Sequence, residues 1–161
     1  MPVNSQIYQF ALHHLLGLPH CRWLGLSIDE NTIPPVWKAP WRDDLTDNAD
    51  QNRLHGGVIA TLIDMAGGSA IAAKLNNFEN LATLDMRIDY LAPAEPQQDI
   101  YVEAECFQLE GQIAFVRSQC FQKHREKPFA LGMSTFILTP LTSAEKQTLQ
   151  HFLQQEQNNH V

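Results

Sequence analysis

The hydrophobic pattern of this chain is dominated by one almost wholly apolar run, from Val58 to Leu75. A run of this length predicts a helix buried in a protein core, and it is a little short for a membrane span. Its only carboxylate is Asp64, which is costly in a helix that is apolar all round unless it is paired or has chemistry to perform. The run begins after His55, Gly56 and Gly57, and two glycines behind a histidine predict bare backbone N–H groups at a helix start. Acyl transfer or hydrolysis requires at least hydrogen-bond donors to an oxyanion and a buried acid or base.

The pattern on either side of this run predicts two further helices and a set of strands. An N-terminal helix is predicted over residues 5–16, and a polar amphipathic helix over 143–157, capped at Thr142 or Ser143. Strands are predicted at 23–28, as an edge strand within the proline-interrupted stretch 29–42, and at 83–91, 99–109, 113–123 and 129–138. We therefore expect one α+β domain over residues 1–161, with its core at about 20–140, in which the long helix covers an antiparallel sheet.

Composition narrows the classes of function. The chain has 161 residues, is 44% hydrophobic and carries a formal net charge of −7, which argues against nucleic acid as the main partner. Its three cysteines, Cys21, Cys106 and Cys120, lack metal-ligand spacing. A hairpin turn near Gly111 would also leave the last two out of register, so neither a metal site nor a disulfide is expected. Because the N-terminus lacks the features of a signal peptide, we expect a cytoplasmic protein with no membrane association.

Two segments of the chain resemble a known family. The first is residues 54–64 (LHGGVIATLID), followed by AGG at 66–68, and the second is residues 83–94 (TLDMRIDYLAPA). Both resemble the hotdog-fold acyl-CoA thioesterases of the phenylacetate-pathway type, and the resemblance covers about residues 45–140. It implies a hotdog fold, in which an antiparallel sheet wraps around a long central helix. The N- and C-terminal helices lie outside it as additions.

The resemblance also implies roles for individual residues. Asp64 is the catalytic carboxylate, acting either as a nucleophile or as a general base on water. The Gly56 N–H, at the helix start, polarises the thioester carbonyl, and Gly57 beside it is a candidate to bind the substrate. His55 lies beside the sulfur and carbonyl of the substrate. Thr83 occupies a position where a hydroxyl residue helps to orient the water.

One departure from the family concerns the loop before the helix. Many members have an asparagine six residues before the histidine, and here that position is Ala49. Asn48 and Asn52 lie on either side of it, and either is a candidate to bind the substrate in its place.

Basic residues are concentrated in one part of this acidic chain, at Arg117, Lys123, His124, Arg125 and Lys127. Arg117, Arg125 and Lys127 are candidate anchors for the phosphates of coenzyme A. A solvated edge between two strands is an equally good interpretation of the same residues.

The spacing between Gly56 and Asp64 has a geometric consequence that does not depend on the family. Eight residues correspond to about 12 Å along a helix. Groups that act on one carbonyl carbon must lie within about 3 Å of the reacting atoms, so one helix cannot supply both. The spacing therefore predicts a homodimer with two shared active sites, either alone or as a dimer of dimers.

These observations favour an acyl-CoA thioesterase that releases a free acid and coenzyme A. No cofactor is expected, because a thioester is already activated and coenzyme A is part of the substrate and product. Two alternatives stay open: a hydroxyacyl-thioester dehydratase or hydratase of the same fold, and a non-catalytic acyl-CoA binding protein. The sequence leaves aromatic, medium-chain and long-chain acyl groups as candidates.

Overall fold

The computed structural model describes residues 5–46, 53–75 and 77–159. Its helices are α1 (Ser5–Gly17), α2 (Pro19–Leu24), α3 (Gly56–Leu75) and α4 (Ser143–Asn159), with a short 3-10 turn at Asp43–Leu45. Its strands are β1 (Ser27–Asp29), β2 (Val36–Ala39), β3 (Asn80–Tyr90), β4 (Ile100–Glu110), β5 (Ile113–Phe121) and β6 (Ala130–Thr139). The long helix, the last four strands and both terminal helices lie where the sequence predicts them.

The six strands form one antiparallel sheet in the order β1-β2-β4-β5-β6-β3, which packs against α3. Strand β4 alternates as a half-buried strand should, and its even-numbered residues from Ile100 to Cys106 are buried. Although α3 is long and apolar enough to cross a membrane, it is the core helix of this fold and 61% of its most apolar window is buried. The α+β architecture, with a sheet around a central helix, is the one that the sequence predicts.

Small residues allow the sheet to approach α3 closely. A Cβ added to Gly67 of the helix would lie 2.8 Å from Cζ of Phe136, and one added to Gly132 of β6 would lie 3.0 Å from Cγ2 of Ile63 on the helix. The glycines at these two positions therefore fix the distance between α3 and the middle of the sheet.

Strand β3 lies at the end of the sheet and pairs with β6 from Asn80↔Thr139 to Tyr90↔Ala130. A bulge interrupts this pairing between Thr83 and Asp85. Bulges redirect neighbouring side chains. In the sheet that the described residues form, the other edge of β3 has no strand beside it.

The segment between residues 19 and 42 differs from the sequence prediction. Residues 23–28 were expected to form a strand, but α2 ends at Leu24 and only residues 27–29 are extended. Pro19 occupies the first turn of α2, where its missing N–H costs nothing, and Gly25 closes that helix in the left-handed region with a φ of 70°. The stretch 29–42 does contain a strand, but β2 pairs on both sides and β1 is the edge.

The terminal helices form a second layer on α3. Helix α1 packs on α3, and α4 packs on α1 through Phe10 and Phe152, whose ring centroids lie 5.3 Å apart. Thr142 and Glu145 form a capping box at the start of α4, in which the Glu145 N–H donates to Thr142 Oγ1 and the Thr142 N–H donates to Glu145 Oε2. The sequence predicted this cap correctly.

Candidate active site

The carboxylate of Asp64 meets the hydroxyl of Thr83 at the boundary between α3 and β3. Thr83 Oγ1 donates a hydrogen bond of 2.6 Å to Asp64 Oδ1. Asp64 is half-buried on the helix, and Thr83 precedes the β3 bulge directly. No other residue in the described part of the chain bonds to this carboxylate. Asp64 Oδ2 therefore points to no protein partner and can accept a proton from a bound molecule.

The start of α3 is arranged by His55. The Gly57 N–H donates to His55 Nδ1 at 2.9 Å, and the Val58 N–H donates to the His55 carbonyl oxygen at 2.9 Å. His55 therefore caps the helix, and its ring is exposed. Among the described residues, no acceptor takes the Gly56 N–H. It is the donor that this helix start offers to a ligand.

Tyr90, which the sequence analysis did not single out, lies against the same helix start. Its hydroxyl donates to the Gly56 carbonyl oxygen at 3.4 Å, and a Cβ added to Gly56 would lie 3.1 Å from that hydroxyl. Partial burial raises the pKa of Tyr90, and the nearby Cys120 adds to the shift. The alternation of side chains along β3 could have identified Tyr90, because it places Tyr90 on the same face as Met86 and Ile88, towards the helix.

Gly56 and Asp64 lie on one unbroken helix, as the sequence predicts. Their separation of eight residues is about 12 Å along the helix axis. The helix therefore presents an N–H donor at its start and a carboxylate with its threonine about two turns further along.

Helix α2 covers α3 near the carboxylate. His20 Nε2 and Thr61 Oγ1 lie 3.2 Å apart, one turn before Asp64. Burial raises the pKa of the Cys21 thiol, and the negative charge of Asp64 raises it further. Cys21 is therefore a protonated, packed side chain and not a nucleophile. This contact was not predicted, because no helix was expected at residues 19–24.

All three cysteines are free and buried. Cys120 is paired in register with Val102, and Cys106 with Val116, so the two are out of register as predicted. Burial raises the pKa of Cys120 to about 12. Across residues 5–46, 53–75 and 77–159, no three His, Cys, Asp or Glu side chains are grouped so that they could hold a metal ion.

A cavity of about 270 Å³ opens beside the Asp64–Thr83 pair. Helix α3 lines it with Asp64, Met65, Gly68, Ala72 and Leu75, which follow one another along a single face. Helix α1 forms the opposite wall, and the start of β3 forms a third. The walls are mainly apolar, and the only carboxylate that α3 contributes to them is Asp64.

The predicted phosphate anchors lie elsewhere in this protomer. Arg117 forms a 2.7 Å ion pair with Glu105 across β4 and β5, and it points away from α3 because its neighbours Val116 and Ser118 face the helix. Arg125 is paired with Glu103. Lys127 is exposed in the loop between β5 and β6. None of the three lies beside Asp64, and their role stays a prediction.

Asn48 and Asn52, the predicted replacements for the family's loop asparagine, lie outside the described residues. Their role also stays a prediction.

Comparison with known proteins indicates the family and the fold of the chain. The family model of the thioesterase superfamily matches residues 51–129. A Halobacterium salinarum protein, provisionally named an esterase, is 36% identical over 76 residues, which are 45% of this chain and 50% of that protein. This chain thus spans about half the length of that curated relative.

Solved structures extend the likeness to most of the chain. A crystal structure of a Pseudomonas aeruginosa protein is 32% identical and superposes with a TM-score of 0.70, covering 84% of this chain and 98% of that one. The crystal structure of thioesterase superfamily member 2 from Mus musculus has 23% identity and a TM-score of 0.63, covering 86% of this chain and 98% of the mouse chain. At that identity, the mouse structure supports the fold alone.

Proposed function

Since this chain belongs to the thioesterase superfamily, we propose that it is an acyl-CoA thioesterase, which hydrolyses acyl-CoA to a free acid and coenzyme A. The observation that carries the proposal is the Asp64–Thr83 pair at the mouth of an apolar cavity. A carboxylate with one free oxygen is suited to activating water or attacking a carbonyl, and an apolar cavity beside it suits an acyl chain.

The second half of each site comes from another copy of the chain. Gly56 and Asp64 are about 12 Å apart on one helix, so the oxyanion donor for a given Asp64 must belong to a partner. The free edge of β3 offers a place for that partner. It leaves Leu84, Tyr90 and Leu91 exposed at 56%, 53% and 58%. A two-fold axis through a β3–β3 pair would set the two α3 helices side by side in opposite directions, with the start of one near the middle of the other.

In the proposed reaction, Thr83 holds Asp64 Oδ1 and leaves Oδ2 to bind the attacking water. Asp64 takes a proton from that water, and the oxygen of the water bonds to the thioester carbon. The resulting oxyanion accepts the N–H of Gly56 from the partner subunit. When the C–S bond breaks, the proton on Asp64 passes to the thiolate, giving the free acid and the free thiol. In the alternative role, Asp64 attacks the thioester carbon, the C–S bond breaks, and the thiolate leaves a mixed anhydride behind. Water then cleaves the anhydride to restore Asp64 and release the acid, and the thiolate takes up the proton from that water.

Recognition of coenzyme A and the cellular compartment belong to the same proposal. Arg117, Arg125 and Lys127 would bind phosphates of coenzyme A if Glu105 and Glu103 release the two arginines. Three buried free thiols are compatible with a reducing cytoplasm. The functional unit would be a homodimer or a dimer of dimers.

The proposal is tested by measuring thiol release from acyl-CoA substrates with a colorimetric thiol reagent. We expect turnover by the wild-type protein and a loss of about 10²–10⁴-fold for Asp64→Asn, because the amide cannot accept the proton from water. The variant keeps the hydrogen-bond acceptor for Thr83, so its thermal unfolding and oligomeric state should match those of the wild type. Hydration of an enoyl-CoA without thiol release, or tight acyl-CoA binding without turnover, would replace the proposal by one of its two alternatives.

A further inference from the structure

We infer that the cavity between α1 and α3 holds the acyl group, with Gly68 and Leu15 setting its width and its polar far end setting its length. The preferred substrate then carries an apolar acyl group of about ten carbons. This inference rests on the proposed function, because it assigns the Asp64–Thr83 end of the cavity to the thioester carbon. It adds a substrate class and names the residues that select it.

The position of the cavity supports this assignment. Asp64, Gly68 and Ala72 line it at intervals of one helical turn, so it extends along α3 away from the carboxylate. From Asp64 to Leu75, the last lining residue of the helix, the distance is about 16 Å. An acyl chain that enters beside Asp64 would therefore lie parallel to the helix, against apolar walls.

The volume of the cavity sets the size of the group that fills it. A cavity of about 150 Å³ lined by aliphatic and aromatic side chains holds one benzene molecule. The 270 Å³ here is nearly twice that, which is room for on the order of ten carbons in a chain or in an aryl-substituted acid. At the far end, the lining changes to polar side chains, His14, Glu79 and Asn80. A longer apolar chain would have to desolvate these groups, which is unfavourable.

Gly68 lies in the wall on α3 opposite Leu15. A Cβ at this position would lie 3.6 Å from Leu15 Cδ1 and 3.7 Å from Leu81 Cδ1, which are ordinary contact distances. Because Gly68 lines the cavity, a larger side chain at this position would reduce the space between α1 and α3. Gly68 is unlike Gly67, where a Cβ would meet Cζ of Phe136 at 2.8 Å.

The opposite wall belongs to the same chain and is held in place. Leu15 lies on α1, whose other side packs against α4 through Phe10 and Phe152. Phe10 also meets Phe78, a cavity residue, with ring centroids 4.8 Å apart. Helix α4 therefore supports α1, the helix that closes the acyl cavity.

The test measures kcat/KM by thiol release for straight-chain acyl-CoAs from four to sixteen carbons and for phenylacetyl-CoA. We expect the wild-type value to peak near ten carbons. Gly68→Leu should lower the decanoyl-CoA value at least about tenfold and leave the butyryl-CoA value within about threefold, because hydrophobic pockets discriminate strongly against chains that no longer fit. Leu15→Ala, which enlarges the cavity, should raise the ratio of dodecanoyl-CoA to decanoyl-CoA at least about threefold. Gly17→Ala is the control, since a Cβ there meets nothing within 4 Å, and its profile should equal that of the wild type.

The outcomes separate this inference from the proposed function. An unchanged chain-length profile in Gly68→Leu and Leu15→Ala, both folded and active on butyryl-CoA, would overturn the acyl cavity and leave the thioesterase proposal standing. If no acyl-CoA is hydrolysed, the affinities for butyryl-CoA and decanoyl-CoA, measured by calorimetry, test the acyl cavity instead. Tighter binding of decanoyl-CoA that Gly68→Leu abolishes supports the cavity without the hydrolase. Binding that does not depend on chain length overturns it.

Discussion

At the level of single residues, the proposed activity depends on one hydrogen bond, from Thr83 to Asp64. Asp64 could be singled out from the sequence because a lone carboxylate in an apolar helix is rare. Thr83 could be matched only through the family resemblance, because threonine suits any strand. Tyr90 was missed for a similar reason, since its position beside Gly56 depends on how β3 meets the helix start. The sequence shows which residues are unusual for the element in which they lie, such as a carboxylate in an apolar helix. The residues that they contact depend on the three-dimensional fold.

The role of the Thr83 hydroxyl is tested by two matched substitutions. Thr83→Val removes the donor and keeps the shape, so Asp64 Oδ1 loses its 2.6 Å bond and its fixed orientation. We expect kcat to fall about tenfold or more. Thr83→Ser retains the hydroxyl and should stay within about threefold of the wild type. Equal kcat values for the valine and serine variants would show that the hydroxyl has no part in turnover.

At the level of secondary structure, the sequence predicted α3 from an unbroken apolar run, and the last four strands from strand-forming stretches separated by turn residues. It failed between residues 19 and 26, where Trp23, Leu24 and Leu26 suggested a strand. Pro19 begins a short helix there, and local contacts with α3 and α1 hold it, such as the one between His20 and Thr61. A six-residue helix shows too few turns for its period to be recognised.

Two adjacent glycines of α3 provide a test of how the helix packs. Replacing glycine by alanine at either position stabilises the helix equally through its higher helix propensity, by up to about 1 kcal/mol. Gly67→Ala must displace the buried ring of Phe136, whereas Gly68→Ala meets only ordinary contacts. The free energy of unfolding of Gly67→Ala should therefore be lower than that of Gly68→Ala by about 1–3 kcal/mol. Chemical denaturation measures the difference, and equal values would contradict the packing described for α3 on β6.

A second test at this level concerns the ion pair that joins β2 to the start of β4. Asp99 Oδ2 lies 2.7 Å from Lys38 Nζ, and Asp99 Oδ1 accepts the Trp41 N–H. The hydrogen bond from Lys38, and then that from Trp41, lowers the pKa of Asp99, while the bond to Asp99 raises the pKa of Lys38. The pair therefore stabilises the fold above the unfolded pKa of Asp and below that of Lys, between about pH 4 and pH 10.

Asp99→Asn keeps an acceptor for Trp41 and removes the charge. Because both side chains are partly exposed, we expect it to lower the free energy of unfolding by at most about 1 kcal/mol at neutral pH. The deficit should shrink as the pH falls below about 4 and as it rises above about 10. Denaturation curves for both proteins across this range would measure it. A deficit that is constant with pH would show that the charge contributes nothing.

At the level of the whole molecule, the central claim is that two chains build each site. The proposed N–H donor and the proposed catalytic carboxylate lie on one helix, about 12 Å apart, too far to act on one carbonyl. The sequence already implied this separation, because eight residues of helix have a fixed length. The sequence did not reveal the cavity. Its walls come from α1, α3 and β3, which meet only in the folded chain.

The most direct measurement is complementation between two inactive variants. Gly56→Pro removes the backbone N–H at the first helical position, where proline is tolerated, and Gly56→Ala is its control because alanine keeps the N–H. We expect Gly56→Pro to lose about 10²–10³-fold in kcat, Gly56→Ala to remain active, and Asp64→Asn to be inactive as above. Co-expressing the Gly56→Pro and Asp64→Asn chains should restore about a quarter of wild-type activity. Half of the randomly formed dimers would be mixed, and each mixed dimer would have one intact site of two. Activity that stays at the level of the separate variants, although mixed dimers are recovered with differently tagged chains, would contradict the shared site.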